Sequence, residues 1–372
     1  MCQLRLLRFQ KSVRSGVVLA PFFLIFEEPI KILLFRPKMK EAAFYKKLDT
    51  DKIECLLCPH ECIINEGKMG ICHVRKNVEG KLISENYGQV CSLHFDPIEK
   101  KPLYHFYPGS TIYSVGSVGC NLHCRFCQNC EISQTSVEDF PFLKKYSPTE
   151  IVTNAMRQKG NIGIAYTYNE PIVWFEFMLD IAKLARKEGL KNVMVTNGFI
   201  NPEPLMELIQ VIDAFSVDLK AFNDDFYRKI TSSKLAPVLE SLKTLKRNNK
   251  HFEITNLVIT TENDNIREFS EMINWISSEL GKETVLHISR YHPMYKMTNP
   301  ATSVRKLMEF YNIAKEKLDF VYLGNVLTKE GQNTYCPSCG HLLVERLGYT
   351  IKKTGMDNEG NCCDCSATVF NN

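Results

Sequence analysis

From residue 109 onward, short runs rich in β-branched and aromatic side chains alternate with longer stretches in which apolar positions recur every three or four residues. Unbroken or period-two apolar runs read as strands and the longer period as helix. Their alternation predicts a parallel sheet with crossover helices. Strands are expected at residues 112–118, 162–166, 192–196, 214–219, 252–259 and 285–289, with a weaker one at 320–323. Helices are expected to start near Pro148, Pro171, Pro202, Leu235, Asn265 and Thr302. Proline suits a first turn, where its missing N–H has no helical partner to lose. Six or seven such units predict an α/β fold, a full or partial barrel, which would carry its chemistry at the carboxyl ends of the strands. Upstream, MKEAAFYKKLD from Met39 has a helical period and predicts one amphipathic helix. No internal repeat or low-complexity tract interrupts the pattern.

The first 38 residues differ. Arg5, Arg8, Lys11 and Arg14 precede an apolar run from Val17 to Phe26, an arrangement like the start of a signal peptide. Glu27-Glu28-Pro29 follows with no small-x-small cleavage site, and about ten apolar residues cannot span a bilayer. Residues 1–38 are therefore expected to be an extension or a misplaced start, with an amphipathic anchor as the alternative. Over the whole chain, 372 residues with 44% hydrophobic and 24% charged content exclude a disordered or collagen-like protein. The net charge of +4 is too small to demand nucleic acid or to forbid it.

Fifteen cysteines change the picture. A chain this long needs no disulfide staples, and the cysteines fall in clumps, which suits metals bound by several thiolates in a reducing cytoplasm. Cys55, Cys58, Cys62 and Cys72 form C-x2-C-x3-C-x9-C, four thiolates that can close a zinc site or hold an auxiliary iron–sulfur cluster. Cys336 and Cys339, then Cys362 and Cys365, form two knuckles of a zinc-ribbon-like module. Between them, Cys120, Cys124 and Cys127 make C-x3-C-x2-C in the loop after the first core strand. Three thiolates around a four-iron cube leave one iron open, whereas structural zinc would need a fourth ligand, for which Cys130 is available. Cys2, Cys91 and Cys363 have no evident role.

The loop VGCNLHCRFCQN, with Phe126 before the last cysteine, resembles the radical S-adenosylmethionine (SAM) enzymes. The resemblance implies an α/β fold, a partial (β/α)6-type radical SAM barrel with small N- and C-terminal cysteine-rich metal modules. It implies a [4Fe-4S] cluster on Cys120, Cys124 and Cys127, with SAM on the open iron. It further implies reductive cleavage of SAM to a 5'-deoxyadenosyl radical that abstracts hydrogen from a substrate. Asn169 and Glu170, in the Tyr168-Asn169-Glu170-Pro171 run after the second strand, fall where the family receives the SAM amino group. Thr196-Asn197-Gly198 and Asp218-Leu219-Lys220 are similar to the TNG and DLK signatures of glycyl-radical-enzyme activases, and His292 to their late histidine near the ribose. Val195 stands where activases commonly carry an acid, which puts a monovalent-cation site in doubt. Phe126, Asn169, Glu170, Thr196, Asn197, Gly198, Asp218, Lys220 and His292 are thus the cofactor-binding expectation, and no catalytic residue is assigned.

A narrower resemblance covers nearly everything from Met39. The Cys55–Cys72 set, DPIEKKPLYHFYPGS at residues 96–110, CQN followed by EISQ, and the closing cysteine pairs are similar to the radical SAM component of the AmmeMemoRadiSam system, a relative of pyruvate formate-lyase activating enzyme. Cys130 departs from that pattern, where an aromatic is usual. The resemblance implies a flavodoxin or ferredoxin as electron donor, Memo-like and AMMECR-like partner proteins, and no membrane. The expected division is 1–38 extension, 39–108 cysteine-rich module, 109–325 radical SAM core and 326–372 zinc-ribbon-like module. Two rival functions remain: a glycyl-radical-enzyme activase, and a zinc-ribbon nucleic-acid-binding or scaffold protein. Lys243, Lys246, Arg247 and Lys250 form a basic helix face, read as solvated. Tyr104, His105, Phe106 and Tyr107 are read as guarding the site's mouth or as core packing.

Overall fold

The structure is a computed structural model and describes residues 39–48 and 51–370. The expected extension at residues 1–38 lies outside the described residues. The main sheet has eight strands: β1 (Ser92–Pro97), β2 (Thr111–Gly116), β3 (Asn161–Tyr166), β4 (Lys191–Thr196), β5 (Ala214–Asp218), β6 (His251–Val258), β7 (Val285–Arg290) and β8 (Val321–Gly324). They lie side by side in chain order, with β2 to β8 parallel and β1 antiparallel to β2 at one edge. Helices α1 (Pro148–Met156), α2 (Phe175–Lys187), α3 (Pro202–Ile209), α4 (Leu235–Arg247), α5 (Ile266–Trp275) and α6 (Val304–Lys315) connect the parallel strands. The sheet is open between β1 and β8, so the architecture is the partial barrel.

Local chemistry sets the element starts. Ser147 and Glu150 form a reciprocal capping box ahead of Pro148 at the head of α1. Asn265 and Ser303 cap α5 and α6 with their side-chain oxygens. α2 buries Phe175, Phe177, Met178 and Ile181 against the sheet, each contributing about 1.5–3 kcal/mol. One face of the sheet, through Val115, Tyr166, Met194, Val217 and Ile254, joins the large helix-covered core. The other face carries a smaller cluster of Ile112, Ala165, Val193 and Ala214, covered by Ile98, Leu103 and Phe106 from the β1–β2 connection.

That connection decides between the two readings of Tyr104, His105 and Phe106 in favour of core packing. Tyr104, His105 and Phe106 precede β2, at the end of the sheet away from the cysteine loop, and are buried. Glu253, at the start of β6, accepts the backbone N–H of Tyr104 at 2.9 Å and of His105 at 2.7 Å, and pairs with His287 at 2.7 Å. Arg346 from the carboxyl-terminal strands donates to the Tyr104 carbonyl at 2.9 Å, and the Phe370 ring stacks on His105 at 4.9 Å. These aromatics form the floor of the sheet, not the mouth of the site.

The amphipathic helix expected from Met39 is absent. Lys40–Glu41 pairs with Lys81–Ser84, and Tyr45–Lys47 pairs with Lys52–Cys55. Phe44 sits at φ +56°, which no helix accepts, and Ala43 donates its N–H to Glu176 on α2 at 2.9 Å. Pairing with distant strands overrides the local period. At the other end, Thr334–Tyr335, Leu342–Leu347 and Thr350–Lys353 form a three-stranded antiparallel sheet over Cys336, Leu343, Val344, Cys362 and Phe370.

Candidate active site

Cys120, Cys124 and Cys127 occupy the loop that leaves the carboxyl end of β2. The loop is held largely by its backbone, while the Cys120 sulfur accepts from Leu122 N at 3.3 Å and the Cys127 sulfur meets Ser133 Oγ at 3.1 Å. Asn169, after β3, accepts from Ser117 N at 3.2 Å and donates to Gly119 O at 2.9 Å. His123 N and Arg125 N donate to the carbonyls of Thr231 and Ile230 beyond β5, at 2.9 and 3.0 Å, and Arg125 O accepts from Lys296 N beyond β7, at 2.9 Å. Gly119 has φ +90°, and a Cβ there would lie 2.6 Å from the Cys72 carbonyl oxygen, so only glycine fits.

The turn after β4 clasps the same loop. Asn197 donates to Asn121 at 2.9 Å and lies 3.9 Å from the Cys120 sulfur, while Asn121 donates to Phe199 O at 2.8 Å. Glu170 fixes this turn: its buried carboxylate accepts from Thr196 Oγ1 and Asn197 N, both at 2.8 Å. Burial pushes the Glu170 carboxyl up to about 7, against those hydrogen bonds. Gly198 adopts φ +68°, and its carbonyl accepts from Ser241 on α4 at 2.7 Å.

After β5, Lys220 pairs with Asp218 at 2.8 Å, and its ammonium stands 5.7 Å from the Phe126 ring centre. Burial disfavours the Lys220 charge, but Asp218 and the Cys124 thiol outweigh it and hold the ammonium above its usual range. Burial likewise pushes the Cys124 thiol up to about 12, with Lys220 pulling the other way. A bare thiolate is costly here, so the thiolate form belongs with a bound cation. His292 stands exposed two residues past β7, on the loop that reaches the cysteines through Lys296. Among the sequence-derived residues, the structure therefore brings Glu170, Thr196, Asn197, Gly198, Asp218, Lys220 and Phe126 around the three cysteines. Asn169 acts on the loop backbone, and His292 lies at the rim.

Sequence reasoning missed Asn121 and a buried group under the site. Tyr168, at φ +77°, donates its hydroxyl to Asp96 at 2.6 Å, and Lys101, 2% exposed, pairs with the same carboxylate at 2.7 Å. Burial opposes the Asp96 charge, yet the bonds from Lys101, Tyr168 and Lys100 hold the carboxyl well below its usual range. Asp96 and Lys101 are near neighbours within the 96–110 stretch, but Tyr168 and the partners of Asn121 lie more than 70 residues away in the chain, where no local signal marks them.

The Sγ atoms of Cys336, Cys339, Cys362 and Cys365 lie within 4.8 Å of one another. Two of these contacts are 3.6 Å, close to the about 3.8 Å edge of a tetrahedral zinc–thiolate site. No other group of three or more such ligand atoms is gathered that tightly among the described residues. On α4, Lys243, Lys246 and Arg247 are paired with Glu279, Glu283 and Glu240. That face is neutralised and solvated rather than open to phosphates.

Residues 114–276 match the Radical SAM superfamily. An uncharacterised protein of Methanocaldococcus jannaschii is 47% identical over 327 residues, covering 87% of this chain and 97% of that protein. The pyruvate formate-lyase 1-activating enzyme of Escherichia coli K12 is 27% identical over 188 residues, 48% of this chain and 73% of that enzyme. Among solved structures, a radical SAM methyltransferase from Sphaerobacter thermophilus aligns with a TM-score of 0.47 at 14% identity, covering 59% of this chain and 67% of that one. Residues 114–276 therefore form a radical SAM domain, of a superfamily whose chemistry is SAM cleavage at an iron–sulfur cluster. Within it, the chain shares a family with the M. jannaschii protein and is homologous to pyruvate formate-lyase activating enzymes. Among the described residues, no helix is long and apolar enough to cross a membrane.

Proposed function

We propose that this chain is a radical SAM enzyme of the AmmeMemoRadiSam type, which cleaves SAM reductively and abstracts hydrogen from a substrate. The observation that carries this is the set of three thiols at the carboxyl end of β2, clasped by turns after β3, β4 and β5 with the Lys220 ammonium beside Cys124. The donor set fits the group: three sulfurs on one loop, and a cation to offset thiolate charge. Cys120, Cys124 and Cys127 would hold the [4Fe-4S] cluster. When bound, the cluster supplies the electron that splits SAM to methionine and a 5'-deoxyadenosyl radical. Glu170 and Asn197 keep the β4 turn against the cysteine loop, Asp218 and Lys220 line the next strand end, and His292, exposed at the rim, would be available to SAM. The four carboxyl-terminal cysteines would hold structural zinc.

The division into 39–108, 109–325 and 326–372 follows this reading, with a flavodoxin or ferredoxin as electron donor, Memo-like and AMMECR-like partners, and a reducing cytoplasm. A second reading, an activase that installs a glycyl radical on a partner protein, is favoured by the likeness to the E. coli activating enzyme and by the TNG and DLK turns. In the test, the anaerobically reconstituted enzyme is reduced with dithionite in the presence of SAM. It should form 5'-deoxyadenosine, and the variant Cys120→Ala/Cys124→Ala/Cys127→Ala should form none. Cleavage persisting in the triple variant would overturn the assignment. Deuterated small-molecule candidates and a glycyl-radical enzyme, offered separately, distinguish the two readings by which one transfers deuterium to 5'-deoxyadenosine.

A further inference from the structure

Cys55 ends the strand Lys52–Cys55, Cys62 precedes Ile63–Asn65, and the two are joined by a 3.0 Å bond from Cys55 N to Cys62 O. Cys58 sits in the turn between them, closed by Glu61 N to Cys58 O at 3.1 Å, and Cys72 lies in a second turn closed by His73 N to Gly70 O at 3.0 Å. Cys55, Cys58 and Cys72 are buried and Cys62 is half-buried. Cys58 lies within electrostatic reach of all three of the others. The four therefore share one interior space.

Two comparisons within this chain bear on what that space takes. The carboxyl-terminal four are drawn together as tightly as ligands of a single ion must be, and no group at the amino-terminal set is so tight among the described residues. The core cysteines, in a superfamily that binds a cluster, are likewise not gathered that tightly among the described residues. Thiolates on separate corners of an iron–sulfur cube stand farther apart than thiolates on one ion. The surroundings also suit a thiolate-ligated cluster. Arg75, 1% exposed, points its guanidinium at Cys55 Sγ at 3.9 Å, is paired with Glu176, and has an Nε with no partner. Buried cations of this kind hydrogen-bond cluster sulfurs and tune the site.

We propose that Cys55, Cys58, Cys62 and Cys72 bind a second [4Fe-4S] cluster, ligated by four thiolates and so closed to SAM. The site abuts the first cysteine loop directly. His60 bonds Asn121 O at 2.7 Å, the His73 and His123 rings meet edge to face at 5.7 Å, and the Cys72 carbonyl fills the space beside Gly119.

The test uses the full chain, reconstituted anaerobically with iron and sulfide in the presence of two equivalents of zinc, and counts metals. About eight irons, about eight sulfides and about one zinc per chain are expected. The double variant Cys58→Ala/Cys62→Ala should fall to about half the iron and keep an electron paramagnetic resonance signal that shifts with SAM. The triple variant at Cys120, Cys124 and Cys127 should also keep about half the iron, with a signal indifferent to SAM. Wild-type protein with about four irons and two zincs, or a double variant with undiminished iron, would overturn the proposal; the wild-type count decides even if a variant misfolds. This inference stands apart from the proposed function. Eight irons with no SAM-sensitive signal would leave the second cluster in place and sink the SAM assignment instead.

Discussion

Gly119 meets two demands at once: a left-handed backbone, and contact with the Cys72 carbonyl. The left-handed conformation alone costs a residue with a Cβ about 1–2 kcal/mol, and the collision forces one of the two cysteine loops to move. Gly119→Ala is therefore expected to melt lower and to bind less iron after reconstitution. Full iron loading at unchanged stability would show that the loops tolerate separation. The cysteines were legible in the sequence because their spacing is local and their chemistry is rare. Asn121 and Arg75 were not, since each owes its meaning to a distant residue: Phe199 and Asn197 for Asn121, and Glu176 for Arg75. No window along the chain contains both partners. His292 shows the converse, because its motif was readable while the loop that carries it leaves the side chain exposed.

Among the elements, α1 offers a test that leaves the site alone. Ser147 accepts from Glu150 N at 3.2 Å, and Glu150 accepts from Ser147 N at 2.7 Å. Ser147→Ala should lower stability by about 1 kcal/mol, read by urea denaturation, with 5'-deoxyadenosine formation unchanged. Loss of cleavage at that small stability change would place α1 nearer the chemistry than its capping role requires. All seven parallel strands and five of the six helices fall within about two residues of their periodic signals, because each is long and buried on a consistent face; α2 starts four residues after Pro171, behind a 3-10 turn at Pro171–Trp174. Other elements did not. β1 alternates too weakly to stand out, with Phe95 exposed on an edge strand. The stretch after Met39 has helical spacing, but its hydrogen-bond partners lie in Lys81–Ser84 and Glu176. Short segments are decided by whatever they pair with.

For the whole molecule, the floor of the sheet links stability to pH. Burial lowers the His105 imidazole to about 3, while the unfolded chain takes up its proton near 6.5. Below 6.5 the unfolded state binds a proton that the folded state refuses, so stability falls as pH drops from 6.5 toward 3. The slope from this one group approaches about 1.4 kcal/mol per pH unit. His105→Phe removes it, at the expense of the 2.6 Å contact with the Tyr322 hydroxyl. Urea denaturation at pH 7 and pH 5 should therefore show the variant's deficit at pH 7 shrinking at pH 5. A constant deficit would show that His105 is protonated in the fold.

The same floor has a consequence for synthesis. Strands β2 to β8 leave the ribosome before Arg346 and Phe370, the residues that close over Tyr104 and His105. Until those residues emerge, the nascent sheet holds the Glu253 carboxylate and its histidines in a cradle open to water, with Tyr104 and Phe320 uncovered. A chain stalled short of the final knuckle has every strand of its sheet and an unsealed base. Its exposed aromatics are the kind of surface that chaperones and proteases sample. Arrival of Arg346 and Phe370 thus seals the base of a sheet whose strands are already made.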